Sequence, residues 1–207
     1  MFKKYVCNFG LICIAVILTQ SSILVSGCKA KSSVTVNWAE LSKAWEKYLD
    51  YPSSENARKV SKILPDSELV TATNSQEEIN VTDTIWNTLT VLERNVYSSD
   101  ISAVNLGFHL HSIADGGFSE ALDMILGALI RINAKLFLEQ LQLNRPLIKR
   151  LDALVGNLVD YALTNEAARL ETSLRIEALK KVKDSKLRKI RAECIEELER
   201  QSKDEEE

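Results

Sequence analysis

"NWAELSKAWEKYLDYP", residues 37–52, reads as one complete helix with both of its ends written in. Asn37 carries a side-chain carbonyl able to accept from the first-turn amides, and Glu40 stands where a capping box needs its partner. Trp38, Leu41, Trp45 and Leu49 then recur at steps of three and four, which places them on one face of a 3.6-residue helix. Tyr51-Pro52 closes the element, because the proline ring pushes the preceding residue out of the α region.

The same grammar runs outward along the chain. Ser53 or Ser54 is placed to cap a shorter helix with Ala57, Val60 and Leu64 inward, stopped by Pro65. "PDSELVTATNS", residues 65–75, has no period and is the expected loop. Ser75 and Glu78 offer another capping box, and Ile85, Leu89, Leu92 and Val96 form a single stripe after it. Ser99 or Asp100 restarts a helix through Ala103, Leu106, Leu110 and Ile113, with Asp115-Gly116-Gly117 as its expected close. Phe118, Leu122, Ile125 and Leu129 precede Ala134, Phe137, Leu138 and Leu141, and Asn133 marks the break between them. Pro146 suits a first helical residue, with Leu147, Leu151, Leu154, Leu158 and Tyr161 following. Thr164 caps a helix carrying Leu170, Leu174 and Leu179; Asp184 or Ser185 begins the last, through Leu187, Ile190, Cys194 and Leu198. No run shows clean β alternation beside a turn signal. The fold class is all-α.

Composition agrees. A chain of 207 residues with 45% hydrophobic and 27% charged residues has enough apolar material for one packed domain, and 7 Gly with 3 Pro are too few for an all-β chain. Its net charge is −3, and the weakly acidic balance argues against nucleic acid as a partner.

The first 27 residues differ in kind from the rest. Lys3 and Lys4 precede an apolar run over residues 9–18, and no acid appears before Glu40. That is the basic-then-apolar order of a secretory signal, and Gln20, Ser21 and Ser22 interrupt it before it could span a bilayer. Leu24-Val25-Ser26-Gly27-Cys28 resembles the lipobox of bacterial lipoproteins: an aliphatic residue, two small ones, then the thiol, with Val25 where that family more often has Leu. The resemblance implies cleavage of the Gly27–Cys28 bond and acylation of Cys28. Acyl chains contribute about 0.8 kcal/mol per buried CH₂, so such an anchor holds a domain at a membrane. Lys29 stands where an Asp would, in that family, favour inner-membrane retention. The expected address is therefore the cell envelope, at the outer membrane facing the periplasm in a two-membrane bacterium.

The expected organisation is a leader over 1–27, a tether over 28–36, a helical domain over 37–201 and an acidic tail over 202–207. "ALIRINAKLFLEQL" and "SKLRKIRAECIEELER" resemble the helix-pair units of HEAT-type repeats. That implies stacked antiparallel hairpins in a short α-solenoid, with an irregular helical bundle as the alternative where no strict period holds.

Residues able to do chemistry are sparse. His109 and His111 are the only histidines; two apart on a helix, they point in different directions and cannot share a metal, so each is expected at the surface or boundary. Asp115, Ser119, Glu120 and Asp123 surround Gly116-Gly117, but lack the pattern of a phosphate cradle, a nucleophile elbow or a calcium loop. With Cys7 and Cys13 in the leader, Cys194 is the remaining thiol besides the anchor, expected to be a small buried hydrophobe. Residues 180–191 gather Lys180, Lys181, Lys183, Lys186, Arg188, Lys189 and Arg191 around Asp184, followed by Glu193, Glu196, Glu197 and Glu199. That reads as an exposed helix laced with ion pairs, or else a surface for anionic head groups or an acidic protein face. Trp38, Trp45, Trp86, Tyr48 and Tyr51 are expected in the core, with an aromatic groove as the functional alternative.

No cofactor motif and no catalytic set assembles. The expected function is a membrane-anchored, non-catalytic protein-binding or scaffold module. A small-ligand or lipid carrier is the alternative, and less so an envelope hydrolase using Asp115, Glu120 or Asp123.

Overall fold

The computed structural model describes residues 36–64, 75–157 and 164–204, and every regular element among them is helical. Gly27, Cys28, the tether before Val36, the expected loop between Leu64 and Ser75, and Leu158 with Tyr161 lie outside the described residues.

Helix α1 (Trp38–Asp50) begins as its sequence dictates: the side-chain Oδ1 of Asn37 accepts from the Glu40 amide at 3.1 Å. The Glu40 carboxylate bonds back to the Asn37 side chain (3.3 Å). α2 (Ser54–Ile63) is capped by Ser53 and buries Ala57 and Val60. Asn56 is buried too, and donates to the Tyr51 carbonyl at 2.9 Å, closing the end of α1. α5 (Ile101–Ile113) is capped by Asp100, which accepts hydrogen bonds from the Ser102 and Ala103 amides and from the Ser54 hydroxyl.

The stripe from Ile85 to Val96 is buried throughout, yet it belongs to two helices, α3 (Gln76–Asn87) and α4 (Leu89–Tyr97). Thr88 makes the break. Its hydroxyl donates to the Thr84 carbonyl at 2.6 Å and accepts from the Trp45 indole at 2.9 Å, in competition with the backbone. Gly116 and Gly117 do not close α5, which stops at Ile113; they open α6 (Gly116–Asn144), where Gly116 takes the left-handed φ of 48° that a side chain would resist. Asn133 does interrupt α6, as its sequence suggests. Its backbone leaves the helical region, and its side chain caps the second half by accepting from the Leu136 amide at 3.1 Å. "ALIRINAKLFLEQL" thus crosses a kink inside one long element.

No long helix follows Pro146. Residues Arg145–Leu147 form one 3₁₀ turn, Ile148 is extended, Arg150 is non-helical, and α7 is only Leu151–Gly156. Ile148 and Leu151 still turn into the core, while Leu147 stays 37% exposed. Arg145 satisfies the freed Ile148 carbonyl at 3.0 Å.

α8 (Asn165–Lys181), capped by Thr164, turns Leu179 inward as expected and leaves Leu174 half-buried, but its inward face is rotated from the expected one at the start. Leu170 is 60% exposed, and Thr172 and Arg175 are buried. The guanidinium of Arg175 takes the inward position because two carbonyls at the end of α7 need donors: Val155 at 2.6 Å and Asn157 at 3.0 Å. A turn over Ser185–Leu187, capped by Asp184, leads into α9 (Arg188–Asp204), which continues through Ser202 and Lys203.

α5 and α6 are the spine. α5 packs on α2, α4 and α6; α6 also meets α4, α7, α8 and α9, while α1 joins α2 and α3. Sequential pairs pack as stacked hairpins would, and the shared spine is what a bundle would have. Phe108 and Phe137 meet in the core between the two spine helices, with ring centroids 6.2 Å apart.

Candidate functional site

Two places on the domain combine accessible shape with unspent polar chemistry. One is a cleft of about 550 Å³ where the end of α5, the start of α6 and α7 with its lead-in meet. The other is a smaller groove of about 400 Å³ between α1, α3 and the α5–α6 link.

In the cleft, His111 is not at the surface. It is 8% exposed, and its Nε2 lies 2.7 Å from Oδ1 of Asp123, itself 3% exposed. A carboxylate only accepts, so Nε2 carries the proton. Asn157 reaches Oδ2 of Asp123 at 3.5 Å. The other ring nitrogen, Nδ1, is buried with no hydrogen-bond partner. This is an orienting carboxylate, an oriented imidazole and a free lone pair, the arrangement from which general bases are built. The nucleophile is not in place: the Ser112 hydroxyl donates a hydrogen bond to the His109 main-chain carbonyl at 2.7 Å, and Ser119 lines the cleft without a bond to His111. Asp115, Glu120 and Asp123, the carboxylates singled out in the sequence, all line this one cleft; Asp115 and Glu120 are exposed, and Asp123 is the one that is buried and bonded to His111. Lys149 and Arg150 stand at the rim. The Asp152 carboxylate, 2.6 Å away, holds the Arg150 guanidinium above its ordinary range, with smaller contributions from Asp123 and Glu120 across the cleft. His109, on the other side of α5, takes no part. Among the described residues no group of three or more His, Cys, Asp and Glu converges to hold a metal ion.

The groove divides the aromatic residues of the first half. Trp45 and Tyr48 are core, with centroids 5.5 Å apart. Tyr51 is 71% exposed and packs nowhere in particular. Trp38 and Trp86 line the groove with Phe118, which meets Trp86 edge-on at 5.8 Å. Trp86 is 42% and Ile79 43% exposed, so apolar surface is left to water along this face. The indole Nε1 of Trp38 is buried there with no acceptor. The charged side chains lining the groove are all acidic: Glu78, Asp83 and Asp115. Gly117 keeps the wall thin, since a Cβ there would touch the Trp86 ring at 3.5 Å. Nothing in the spacing of Trp38 and Trp86 announced this; the signal available was Trp86 standing outside the Ile85–Leu89 stripe.

The basic stretch is only partly laced. Glu193 pairs with Arg145 at 3.1 Å, Glu197 with Arg200 at 2.7 Å, and Glu199 with Lys180 at 3.4 Å. Arg191 donates to the Val182 carbonyl and Lys183 to that of Lys180. Lys181, Lys186, Arg188 and Lys189 are exposed and have no ion-pair partner among the described residues. Cys194 is fully buried, and burial pushes its thiol up to about 12, out of the reactive range. No helix among the described residues is long and apolar enough to cross a membrane.

Comparison of the chain with known protein families, with curated proteins and with solved structures finds no match.

Proposed function

We propose that this chain is a lipid-anchored, non-catalytic binding module of the bacterial cell envelope. It is cut between Gly27 and Cys28, acylated on Cys28, held at the outer membrane on the periplasmic side, and grips a partner protein through the aromatic groove. The lipobox-like residues support the anchor. One observation carries the binding role: the Trp38 N–H, buried without an acceptor in a groove whose Trp86 and Ile79 stay exposed. An unpaired buried donor costs about 1–3 kcal/mol, which a partner's main-chain carbonyl would return once a small shift of the groove wall uncovers the N–H. An apolar side chain of that partner would cover Trp86, and a neighbouring Lys or Arg would face Asp83 and Asp115. The partner segment is therefore apolar and flanked by basic residues.

The test is a photo-crosslinking amino acid placed at Trp86, at Ile79 and, as an exposed control, at Tyr51, in cells that process the leader. The expected result is one stoichiometric adduct from the first two positions, whose crosslinked peptide is apolar with Lys or Arg beside it. Adducts to the chain's own residues, or equal yield from Tyr51, overturn the binding role. Intact mass of the purified protein reads the anchor separately. The hydrolase alternative draws on His111 and Asp123. It requires that His111→Ala abolish turnover of an activated ester, whereas the binding reading requires no turnover to lose.

A further inference from the structure

The turn joining α8 to α9 concentrates cations that the rest of the domain does not neutralise. Lys181, Lys183, Lys186, Arg188 and Lys189 are exposed on it, and of the four acids that follow in sequence Glu193, Glu197 and Glu199 pair with Arg145, Arg200 and Lys180, which leaves Glu196 exposed on α9. Asp184, the one acid within the turn, is committed to capping it by accepting from the Lys186 amide at 2.9 Å. Beside these cations opens a depression of about 640 Å³ between α8 and the second half of α6, whose floor is apolar: Ile130, Ala134, Ala178 and Val182. Lys181 and Lys183 stand on its edge with Arg131 and Lys135, and against these four cations the lining holds two acids, Glu177 and Asp184.

A protein with net charge −3 that holds five exposed cations at one corner has separated its charges at a cost in self-repulsion. Fixed cations around an apolar floor complement an anionic head group whose acyl chains begin just below it. Long lysine side chains suit that boundary, since their stems lie on apolar surface while the ammonium stays with phosphate.

We propose that the α8–α9 turn is a second membrane contact, which lays the domain against a bilayer containing anionic phospholipid. The choice of lipid over other polyanions rests on the envelope reading above; the charge separation does not. The two attachments would act together, because one tether raises the effective concentration of the other.

The experiment uses the full chain carrying Cys28→Ala, so that no acyl anchor contributes. Sedimentation with phosphatidylcholine vesicles gives the baseline owed to the apolar leader. Vesicles that also contain phosphatidylglycerol are expected to bind at least about tenfold more protein at low salt, and the gain is expected to vanish at high salt. Adding K181E/K186E/R188E/K189E removes the gain, and the milder glutamine set at the same positions removes most of it. K43E/K47E/R58E/K62E, four exposed cations of α1 and α2, leaves it in place, with helical circular dichroism unchanged in every variant. Equal loss in both reversal sets, or no phosphatidylglycerol dependence, overturns the proposal. So does a reversal set that keeps vesicle binding but loses poly-glutamate binding, which would make the turn a protein-facing surface. Failure of the anchor reading shows elsewhere, as an unacylated Cys28 in the mass of the unmutated chain.

Discussion

Arg175 of α8 donates from Nη1 to the main-chain carbonyl of Val155 in α7 at 2.6 Å, with its side chain 1% exposed. The same nitrogen reaches the Asn157 carbonyl at 3.0 Å, and Nε bonds Glu171 at 3.2 Å. A six-residue helix cannot stand alone, and the carbonyls at its end point inward, where water does not reach. One guanidinium, with several donors in a fixed fork, answers them. Its burial lowers the Arg175 pKa, partly offset by Glu171, so the contact is bought against desolvation and depends on every bond being made.

Arg175→Ala is therefore expected to cost about 3–5 kcal/mol, because it leaves two carbonyls unpaired and a cavity among α6, α7 and α8. Arg175→Lys keeps the charge without the fork and should recover less than half of the loss. Urea unfolding followed by helical circular dichroism measures both. A loss below about 1 kcal/mol for the alanine variant would show that α7 is not held this way.

Gly127 makes the approach possible. A Cβ there would stand 2.6 Å from the Leu154 carbonyl oxygen and 3.2 Å from Nη1 of Arg175, and neither is the loose end of a side chain. Gly127→Ala should destabilise by about 1–3 kcal/mol despite the better helix propensity of alanine. Gly117→Ala is the contrast: its Cβ meets only the Trp86 ring at 3.5 Å, so the change should be neutral or slightly stabilising. A clear loss at Gly127 beside no loss at Gly117, two glycines of one helix, is the readout in thermal unfolding.

These details mark where sequence stops being informative. Helix starts were legible at Asn37, Ser53, Asp100 and Thr164, because a cap is a local bond between a side chain and amides two or three residues on. The stripe on α9 was legible for a similar reason, since one neighbour face fixes one period. α8 was not: apolarity favours Leu170, whereas the inward place belongs to Arg175 through bonds to carbonyls 18 and 20 residues away. His111 was misplaced in the same way, as its partner Asp123 lies across the Gly116 turn and on another helix. Pattern reading finds what neighbours decide, and misses polar groups whose burial depends on a distant partner.

The pair itself can be weighed. His111 and Asp123 join the end of α5 to α6 within hydrogen-bond distance and out of water. Removing one partner leaves the other buried and unpaired, so Asp123→Ala and His111→Ala should each cost about 2–4 kcal/mol. An apolar replacement of both, His111→Phe with Asp123→Leu, should restore much of that. The double-mutant cycle then gives a coupling of about 1–3 kcal/mol. Additive losses would mean that the two residues act separately and that the bond does not lock the spine.

Alkaline pH tests the core as a whole. Burial raises the Cys194 thiol to about 12 and, with help from Asp100, the Tyr48 hydroxyl to about 12; burial and Glu93 raise Tyr97 as well. All three are neutral in the fold, and in the unfolded chain they ionise at their ordinary values of 9.0 for the thiol and 10.0 for the phenols. Between those values and the raised ones, the unfolded chain has lost protons that the native chain keeps. Stability is therefore full below about pH 9 and falls as pH rises toward 12, at up to about 1.4 kcal/mol per unit for the buried thiol and by less for the phenols, which solvent partly screens. The thiol begins the decline and the phenols join it one unit later. Cys194→Ala should start less stable at neutral pH through lost packing, yet decline less between about pH 9 and pH 10, where the thiol acts alone. Urea midpoints of both chains across that interval measure it. Parallel declines would show that Cys194 ionises as readily folded as unfolded, and hence that water reaches the seam where α9 meets the rest of the domain.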